Sequence, residues 1–454
     1  QTPLIAYFAT CLLHQAGVPR SALQLLPGDG TVGAALTGSA RVDGVAFTGS
    51  TQTTKTIRVK MAETLTPGAP FIAETGGLNA MIVDSTALPE QAVASIIESA
   101  FQSAGQRCSA LRCVYIQDDI APEVIAMLIG AMQQLSLGDP WLLSSDLGPV
   151  IDPVAQARIS KHIAEAADQN RVLWTQPVPS QGHYIAPTLI QVSGIKALEQ
   201  EVFGPVLHLA TFASHQINAV VEAINDTGYG LTFGLQTRLS NRAKEIAQRI
   251  TAGNIYVNRN QIGAVVGSQP FGGHGLSGTG PKAGGPFYLG RFRAVRRQNS
   301  SGAWDQVMSQ TALIKIMETA ATGVHSPDVL LPGPTGELNA RSTLAKPAIL
   351  CAGPGAHAAD AQAKAVSALG GVAVKATGQI QAGHLTHLGP LGAVIWWGDE
   401  ATARVFDLAL AVRAGPSVAL ITGQPDSAHV LLEQHVCIDT TAAGGNAALL
   451  RGDS

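Results

Sequence analysis

Cysteine is scarce in this chain of 454 residues, and the few cysteines lie far apart. Their number is odd and no two form a Cys-x-x-Cys pair, which argues against a disulfide framework and a structural zinc site. We therefore predict no metal site. Unpaired cysteines are typical of a reducing compartment, so we expect a cytoplasmic protein. The five cysteines are Cys11, Cys108, Cys113, Cys351 and Cys437.

Charged and aromatic residues are also few, at 13% and 5% of the chain. The 29 basic and 32 acidic side chains leave a formal net charge of −3, which removes the electrostatic reason to expect binding to nucleic acid. No apolar run approaches the length of a membrane-spanning helix, about 18 residues, so no transmembrane segment is predicted. The apolar share of 46% is too high for a disordered chain and predicts sizeable cores.

The pattern of apolar residues predicts an α/β protein. Short β-rich runs alternate with amphipathic helical stretches, as in strand–helix–strand units around a parallel sheet. A composition break near 298–345 separates two such series, so we expect a second, smaller Rossmann-like unit beyond it. In the first series we predict helices over 4–14, 51–65 and 93–101, and strands over 23–26, 44–47, 70–73 and 112–116.

Cys108 is the strongest candidate for a nucleophile. It follows the helix predicted over 93–101 and lies between Arg107 and Ser109 in a polar, glycine-containing segment. A thiolate becomes reactive where nearby positive charge or helix N-terminal N–H groups stabilise it. The alternative is a small buried side chain, and we expect that role for the other four cysteines, which lie in apolar segments or on a predicted strand.

Glu74 is the candidate general base. It follows the strand predicted over 70–73 and precedes Gly76 and Gly77, which let other groups approach closely. Taken alone the signal is weak, because a solvated glutamate at a strand end is common.

Two glycine-containing segments are candidates for binding a dinucleotide. Thr48, Gly49 and Ser50 open a predicted helix, whose N-terminal N–H groups and serine hydroxyl suit a pyrophosphate oxygen. Gly30 and Gly33 belong to a Gly-x-Gly-x-x-Gly spacing after the strand predicted over 23–26, a pattern with many false positives when it stands alone.

Taken together, these motifs resemble those of the aldehyde dehydrogenase superfamily. In chain order they are Phe-Thr-Gly-Ser at 47–50, Glu-Thr-Gly-Gly at 74–77, Gly-Gln-Arg-Cys-Ser-Ala at 105–110, Glu-Val-Phe-Gly-Pro-Val at 201–206 and Pro-Phe-Gly-Gly at 270–273. Longer stretches resemble one branch, the bacterial bifunctional proline utilization proteins. Those stretches cover 74–84, 104–112, 253–260, 271–285, 331–337 and 440–446, so the similarity spans essentially the whole chain.

The resemblance implies an aldehyde dehydrogenase fold, with a Rossmann-like NAD-binding domain and an α/β catalytic domain, followed by a smaller Rossmann-like domain. We expect the remainder of the NAD-binding domain over 1–73 and the catalytic domain over 74–256. An anchor loop and oligomerisation flap follow over 257–297, then a non-catalytic domain over 298–435 and a tail over 436–454. It further implies that the chain is truncated at its N-terminus, that a proline dehydrogenase domain with FAD lies upstream, and that the protein is a homodimer.

The activity implied by the resemblance is the NAD-dependent oxidation of L-glutamate γ-semialdehyde to glutamate. Cys108 would attack the aldehyde to give a thiohemiacetal, whose oxyanion the Cys108 backbone N–H would stabilise. Hydride transfer to NAD would leave a thioester, and Glu74 would activate the water that hydrolyses it.

The same resemblance assigns the binding residues. Glu201 would hold the nicotinamide ribose, and Phe203 would pack near the nicotinamide. The backbone N–H groups of Gly273 and His274, with the Ser109 hydroxyl, would bind the substrate α-carboxylate. Arg107 would add positive charge or form a structural ion pair, and the His274 imidazole would face solvent.

Two alternatives remain. One is a related aldehyde dehydrogenase for another small aldehyde, against which the predicted carboxylate-binding loop argues. The other is a catalytically silent scaffold, or a segment that seals the tunnel of a larger bifunctional enzyme. For 300–454, where no pair of nucleophile and base stands out, the scaffold is the preferred interpretation.

Overall fold

The computed structural model describes residues 2–293, 296–320, 323 and 325–441. Its first unit is small. Two parallel strands pair from Val45 with Phe71 to Thr48 with Glu74, beside three helices. The elements are α1 (Pro3–Gln15), α2 (Gly30–Thr37), β1 (Val45–Thr48), α3 (Thr51–Thr64) and β2 (Phe71–Glu74).

The strand predicted over 23–26 is wrong, because the structure has irregular chain there. An extended segment is a strand only when it exchanges backbone hydrogen bonds with a neighbour. The two-stranded sheet contains only β1 and β2, so this segment does not pair with either open edge, and Leu23 N–H donates within a local turn to the Pro19 carbonyl at 3.2 Å. The helix that follows is α2, and the Asp29 carboxylate caps it by accepting a hydrogen bond from Thr31 N–H at 2.9 Å.

The second unit supplies most of a large, mainly parallel sheet covered by helices on both faces. Two buried clusters fill the spaces between sheet and helices. The elements are β3 (Ala80–Val83), α4 (Pro89–Phe101), β4 (Cys113–Gln117), α5 (Ala121–Met132), α6 (Pro153–Asp168), β5 (Val172–Trp174), β6 (Thr188–Gln191), β7 (Val206–Phe212), α7 (Ile217–Asn225), β8 (Tyr229–Gly230), β9 (Thr232–Gln236), α8 (Ser240–Arg249), β10 (Asn254–Val257) and β11 (His274–Gly275).

The third unit contains a four-stranded parallel sheet with its own core. Its elements, together with the strands that it contributes to the large sheet, are α9 (Gln310–Glu318), β12 (Val329–Leu331), β13 (Glu337–Ala345), β14 (Ile349–Cys351), α10 (Gly355–Ala368), β15 (Ala373–Lys375), α11 (Ala382–Thr386), β16 (Ala393–Ile395), α12 (Glu400–Ala411), β17 (Ala419–Ile421), α13 (Ser427–Val430) and β18 (Leu431–Asp439).

The sheets confirm the α/β prediction and show which segments share a sheet. The small sheet has the order β15-β14-β16-β17. The large sheet has ten strands in the order β12-β13-β18-β10-β9-β3-β4-β7-β6-β5. Strands within the predicted 298–435 domain and the predicted 436–454 tail therefore extend the catalytic sheet, with β18 parallel to β10 over Asn254–Val257. The part of the tail over 442–454 lies outside the described residues.

Within the described ranges, no helix combines the length and the apolar composition needed to cross a membrane.

Candidate active site

Three segments that are far apart in sequence meet at the end of β2. Glu74 is the last residue of β2 and forms an isolated antiparallel bridge with Gly278. Thr75 N–H donates to the carbonyl of Ser277 at 2.9 Å, so the loop over 271–285 is joined to the segment that carries the candidate base. The third segment is the loop that carries Cys108, whose carbonyl accepts a hydrogen bond from the Asn79 amide at 2.7 Å.

A sharp turn after α4 presents Cys108. Ser103, Ala104 and Gly105 all have positive φ, at 57°, 53° and 64°, and only the last is a glycine. A Cβ at Gly105 would lie 2.2 Å from the carbonyl oxygen of Gly204, so only glycine fits this close approach. The turn therefore brings the nucleophile loop against the segment over 201–206.

The electrostatic surroundings of Cys108 differ from the expectation. Burial raises the pKa of its thiol, and the carboxylates of Glu201 and Glu74 raise it further, against the Ser109 backbone N–H, which lowers it. The neighbouring guanidinium of Arg107 donates through Nε to the Ser103 hydroxyl at 3.1 Å and so supports the turn. The structure therefore favours the neutral thiol, where the sequence predicted a thiolate stabilised by positive charge.

Glu74 is suited to the role of a base. Its Oε2 accepts a hydrogen bond from Gly273 N–H at 2.8 Å, while Oε1 is buried and has no partner among the described residues. Burial raises the pKa of this carboxyl to about 8, although the Gly273 N–H and the charge of Lys282 act in the opposite direction. A carboxyl that titrates near neutral pH can take a proton from water and release it again.

Glu201 is held by an arginine that the sequence analysis missed. Arg112 is 1% exposed, and its Nη2 and Nε donate to Glu201 Oε1 at 2.9 and 3.2 Å. The guanidinium also lies 5.2 Å from the centre of the Phe203 ring. Its remaining hydrogen bonds join the two loops, through the carbonyls of Gly105, Arg107 and Gly204.

A signal for Arg112 was present in the sequence. It stands inside the apolar run 110–116, and a charged residue that a strand buries must find partners there. Its partner Glu201 has a raised pKa, because the effect of burial exceeds the opposing effect of Arg112. A Cβ at Gly76 would overlap Glu201 Oε2 at 1.7 Å, so this glycine leaves room for the carboxylate.

The loop over 271–285 contains the predicted carboxylate-binding N–H groups of Gly273 and His274, and one of them is already engaged. Gly273 N–H donates to Glu74. The His274 imidazole, expected in solvent, is instead buried at 8% exposure, with Nδ1 at 3.1 Å from the Thr251 carbonyl and Nε2 at 2.9 Å from the Glu433 carbonyl. The solvent prediction is wrong because strand β18, which carries Glu433, covers this side chain. Burial lowers the pKa of His274 to about 4, so the ring is neutral near pH 7.

Ser109 is buried, and its carbonyl accepts a hydrogen bond from the Thr232 hydroxyl at 3.1 Å.

The predicted cofactor residues fall into two groups. Thr48, Gly49 and Ser50 lie next to the base, since Gly49 N–H donates to the Glu74 carbonyl at 3.1 Å, and the exposed Ser50 caps α3. With the partly exposed carboxylate of Glu201 they fit a dinucleotide, which needs an N–H-rich helix start and an acceptor for ribose hydroxyls. Gly30 and Gly33 lie apart on the exposed helix α2, where a Cβ would meet nothing within 4 Å.

A family model and several known proteins are similar to this chain. The model of the aldehyde dehydrogenase family matches residues 1–297. The bifunctional protein PutA of Salmonella typhimurium is 40% identical over 99% of this chain and 39% of its own length. The 1-pyrroline-5-carboxylate dehydrogenase of Geobacillus thermodenitrificans is 36% identical over 63% of this chain and 57% of its own. The chain thus spans about two fifths of the length of the PutA relatives that it matches.

Solved structures give the same picture. A mutant of proline utilization A from Bradyrhizobium japonicum is 50% identical, with a TM-score of 0.63 over 64% of this chain and 30% of that one. A 1-pyrroline-5-carboxylate dehydrogenase from Thermus with bound NAD is 31% identical, with a TM-score of 0.60 over 64% of this chain and 57% of that one.

Proposed function

The chain belongs to the aldehyde dehydrogenase family, and from this premise we propose that it oxidises L-glutamate γ-semialdehyde to glutamate with NAD, the second step of proline catabolism. The observation that carries the proposal is the convergence of Cys108, Glu74 and Glu201. Two carboxylates from separate segments act on one thiol, at the point where the loop over 271–285 meets β2. The names of two relatives, PutA and 1-pyrroline-5-carboxylate dehydrogenase, support the choice of aldehyde.

Cys108 is the proposed nucleophile. Its sulfur bonds to the aldehyde carbon, and the thiol proton leaves to solvent or to Glu74. Backbone N–H groups, that of Cys108 among them, stabilise the oxyanion of the resulting thiohemiacetal. NAD held by Glu201 and Phe203 would supply the hydride acceptor, so that oxidation of the thiohemiacetal would leave a thioester on Cys108. Because the structure favours the neutral thiol, we expect the first step to speed up as the pH rises.

Glu74 is the proposed base for the second half of the reaction. It takes a proton from water, whose oxygen attacks the thioester carbon, and the carbon–sulfur bond breaks to release glutamate and the Cys108 thiol. The base acts in its ionised form, so this step accelerates as the pH rises through about 8 and is slow well below that pH.

The loop over 271–285 and the residues around Glu201 would bind the reactants. We propose that the N–H groups of Gly273 and His274, with the Ser109 hydroxyl, bind the α-carboxylate, while Arg107 contributes at longer range. Since Gly273 N–H donates to Glu74 in this structure, the substrate carboxylate and the base would compete for it. Glu201 and Phe203 would hold the nicotinamide riboside, and Thr48, Gly49 and Ser50 the pyrophosphate. Binding of the dinucleotide by Gly30 and Gly33 stays a prediction.

We further propose that these residues belong to a longer, bifunctional polypeptide, as the name of the PutA relatives suggests. An upstream proline dehydrogenase domain with FAD, a homodimer and a cytoplasmic location stay predictions. The scaffold alternative also stays open for 300–454, although β12, β13 and β18 extend the catalytic sheet.

The proposal is tested by NADH formation from glutamate semialdehyde, both in this chain and in the longer polypeptide. Cys108→Ala should abolish it, while the control Cys11→Ala, in helix α1, should not. Glu74→Gln should keep a first-turnover burst of NADH but stop further turnover. Activity that survives the loss of Cys108 would refute the covalent mechanism, and no activity in a polypeptide that binds NAD would favour the scaffold.

A further inference from the structure

A buried lysine lies behind the loop over 271–285, and the mechanism above does not use it. Lys282 is 2% exposed, and its ammonium donates to three neutral oxygens. These are the Gly253 carbonyl, the Asn254 side-chain carbonyl at 2.8 Å and the Pro270 carbonyl at 3.4 Å. Burying an ammonium is costly unless nearby negative charge offsets the lost hydration. The position of the surrounding carboxylates therefore decides whether this lysine carries its charge.

One of these carboxylates belongs to the candidate base. Gly272 separates the two side chains: a Cβ there would lie 3.0 Å from Glu74 Oε1 and 3.1 Å from Lys282 Cγ. Glu74 Oε1 is the buried oxygen that has no hydrogen-bond partner among the described residues. The unpaired carboxylate oxygen and the stem of the lysine side chain thus approach the same glycine, and the charges of Glu74 and Lys282 act on each other.

The second carboxylate comes from strand β18. Glu433 is buried, its Oε2 accepts the backbone N–H of Lys282 at 3.1 Å, and its Oε1, like that of Glu74, has no partner among the described residues. Burial lowers the pKa of Lys282 to about 7, and the charges of Glu433 and Glu74 act in the opposite direction. The other charged or titratable groups that face this cluster are His274 on the loop, His435 on β18, Arg341 on β13, which acts on Glu433, and Lys346, which acts on both Glu433 and His274.

We propose that Lys282 is a positioning residue for the general base: its ammonium, beside Glu74 and Glu433, favours the ionised form of Glu74 against burial and fixes the loop that touches it. The lysine also fixes geometry, because Asn254 Oδ1, which it holds, accepts Gly272 N–H at 3.2 Å. In this arrangement the C-terminal strand β18 takes part in the chemistry through Glu433. The inference rests on the proposed role of Glu74.

The test removes the charge and keeps a hydrogen-bond donor. Lys282→Gln can still donate to Asn254 and Pro270, and Lys282→Met serves as a second neutral variant should the glutamine not fold. Lys282→Arg keeps the charge. The control is Lys346→Met, a half-buried lysine whose charge acts on Glu433 but is not among the groups that shift the pKa of Glu74. The protonated carboxyl of Glu74 is followed by infrared spectroscopy as a function of pH, and is assigned by its loss in Glu74→Gln.

We expect the titration midpoint of Glu74 to rise by about one pH unit or more in the neutral variants, and to stay near the original value in Lys282→Arg and Lys346→Met. In the active protein, the midpoint pH of the acid limb of the kcat–pH profile should rise by the same amount. Turnover at a pH below this limb should therefore be about tenfold lower. An unchanged midpoint with uniformly reduced turnover would mean that Lys282 is only structural. The infrared titration needs no turnover, so failure of this inference is distinguishable from failure of the proposed function, which would show as no NADH in the unmodified protein.

Discussion

At the scale of single residues, the site depends on how burial shifts the balance between charged and neutral forms. Cys108 and Glu74 are both pushed toward their neutral forms, and in each case burial is the largest cause. Water-excluded groups of this kind respond strongly to each neighbouring charge, because the surrounding protein screens charge less than water does. Single changes of charge around the site should therefore have measurable effects on reactivity.

The Cys108 thiol should react faster when a neighbouring negative charge is removed. In Glu201→Gln the carboxylate that raises the thiol pKa is gone, while Arg112 remains close, so the thiolate fraction at a given pH should increase. A fall of half a pKa unit corresponds to about threefold faster alkylation by iodoacetamide. The exposed Glu199→Gln, two residues away, serves as the control and should not change the rate. Slower alkylation in Glu201→Gln would contradict the electrostatic account.

Replacing Arg112 should cost stability as well as activity. Arg112→Met leaves the carboxylate of Glu201 without its partner and removes the bonds to three carbonyls, which should lower the free energy of unfolding by about 3 kcal/mol. Arg112→Lys keeps the charge but loses the two-pronged contact, so we expect an intermediate loss. Urea unfolding of the two variants measures both losses of stability. If Arg112→Met with Glu201→Leu were no more stable than Arg112→Met alone, the unpaired carboxylate of Glu201 would not be the cause of the lost stability.

At the scale of elements, helices and the strands flanked by clear turns could be predicted, and sheet order could not. The helices predicted over 4–14 and 51–65 correspond to α1 and α3, because capping and periodicity are local signals. That β18 inserts beside β10 depends on a contact between residues about 180 positions apart, which no local pattern encodes. The same holds for Lys282, which lies in a glycine-rich stretch typical of an exposed loop and is buried only because β18 covers it.

The contact between α3 and α12 should depend on a buried ion pair. Arg58 on α3 and Asp407 on α12 are 7% and 2% exposed, and Asp407 also accepts Gly68 N–H at 3.3 Å. Asp407→Ala leaves the arginine buried and unpaired, so we expect a loss of about 3 to 5 kcal/mol in the free energy of unfolding.

The control for this experiment lies on the same helix. Lys60 and Glu63 form an exposed pair on α3, and Lys60→Ala should cost less than about 0.5 kcal/mol. Replacing both buried partners by Arg58→Met with Asp407→Leu should recover much of the loss, since neither charge is then left alone. Urea unfolding measures these losses. Equal losses for the exposed and the buried variants would contradict the claim that the buried ion pair stabilises the contact between α3 and α12.

At the scale of the whole molecule, the two ends of the site are covered very differently. The side that carries Lys282 and Glu433 is closed by strand β18 and the third unit. The side that would receive the dinucleotide is formed by a two-stranded sheet and by helices with exposed apolar side chains. Exposed apolar side chains that share one face of a helix mark a surface that associates with another protein surface.

Helix α1 should therefore drive self-association of this chain. Leu4, Phe8 and Leu12 follow one another at intervals of four residues, so they share one face of the helix, and they are 72%, 61% and 64% exposed. Sedimentation velocity should show a concentration-dependent increase in mass that Phe8→Lys with Leu12→Lys suppresses. Val405→Lys, which changes an apolar residue exposed on α12, should leave it intact. If the unmodified chain remains monomeric at every concentration, the α1 face does not self-associate.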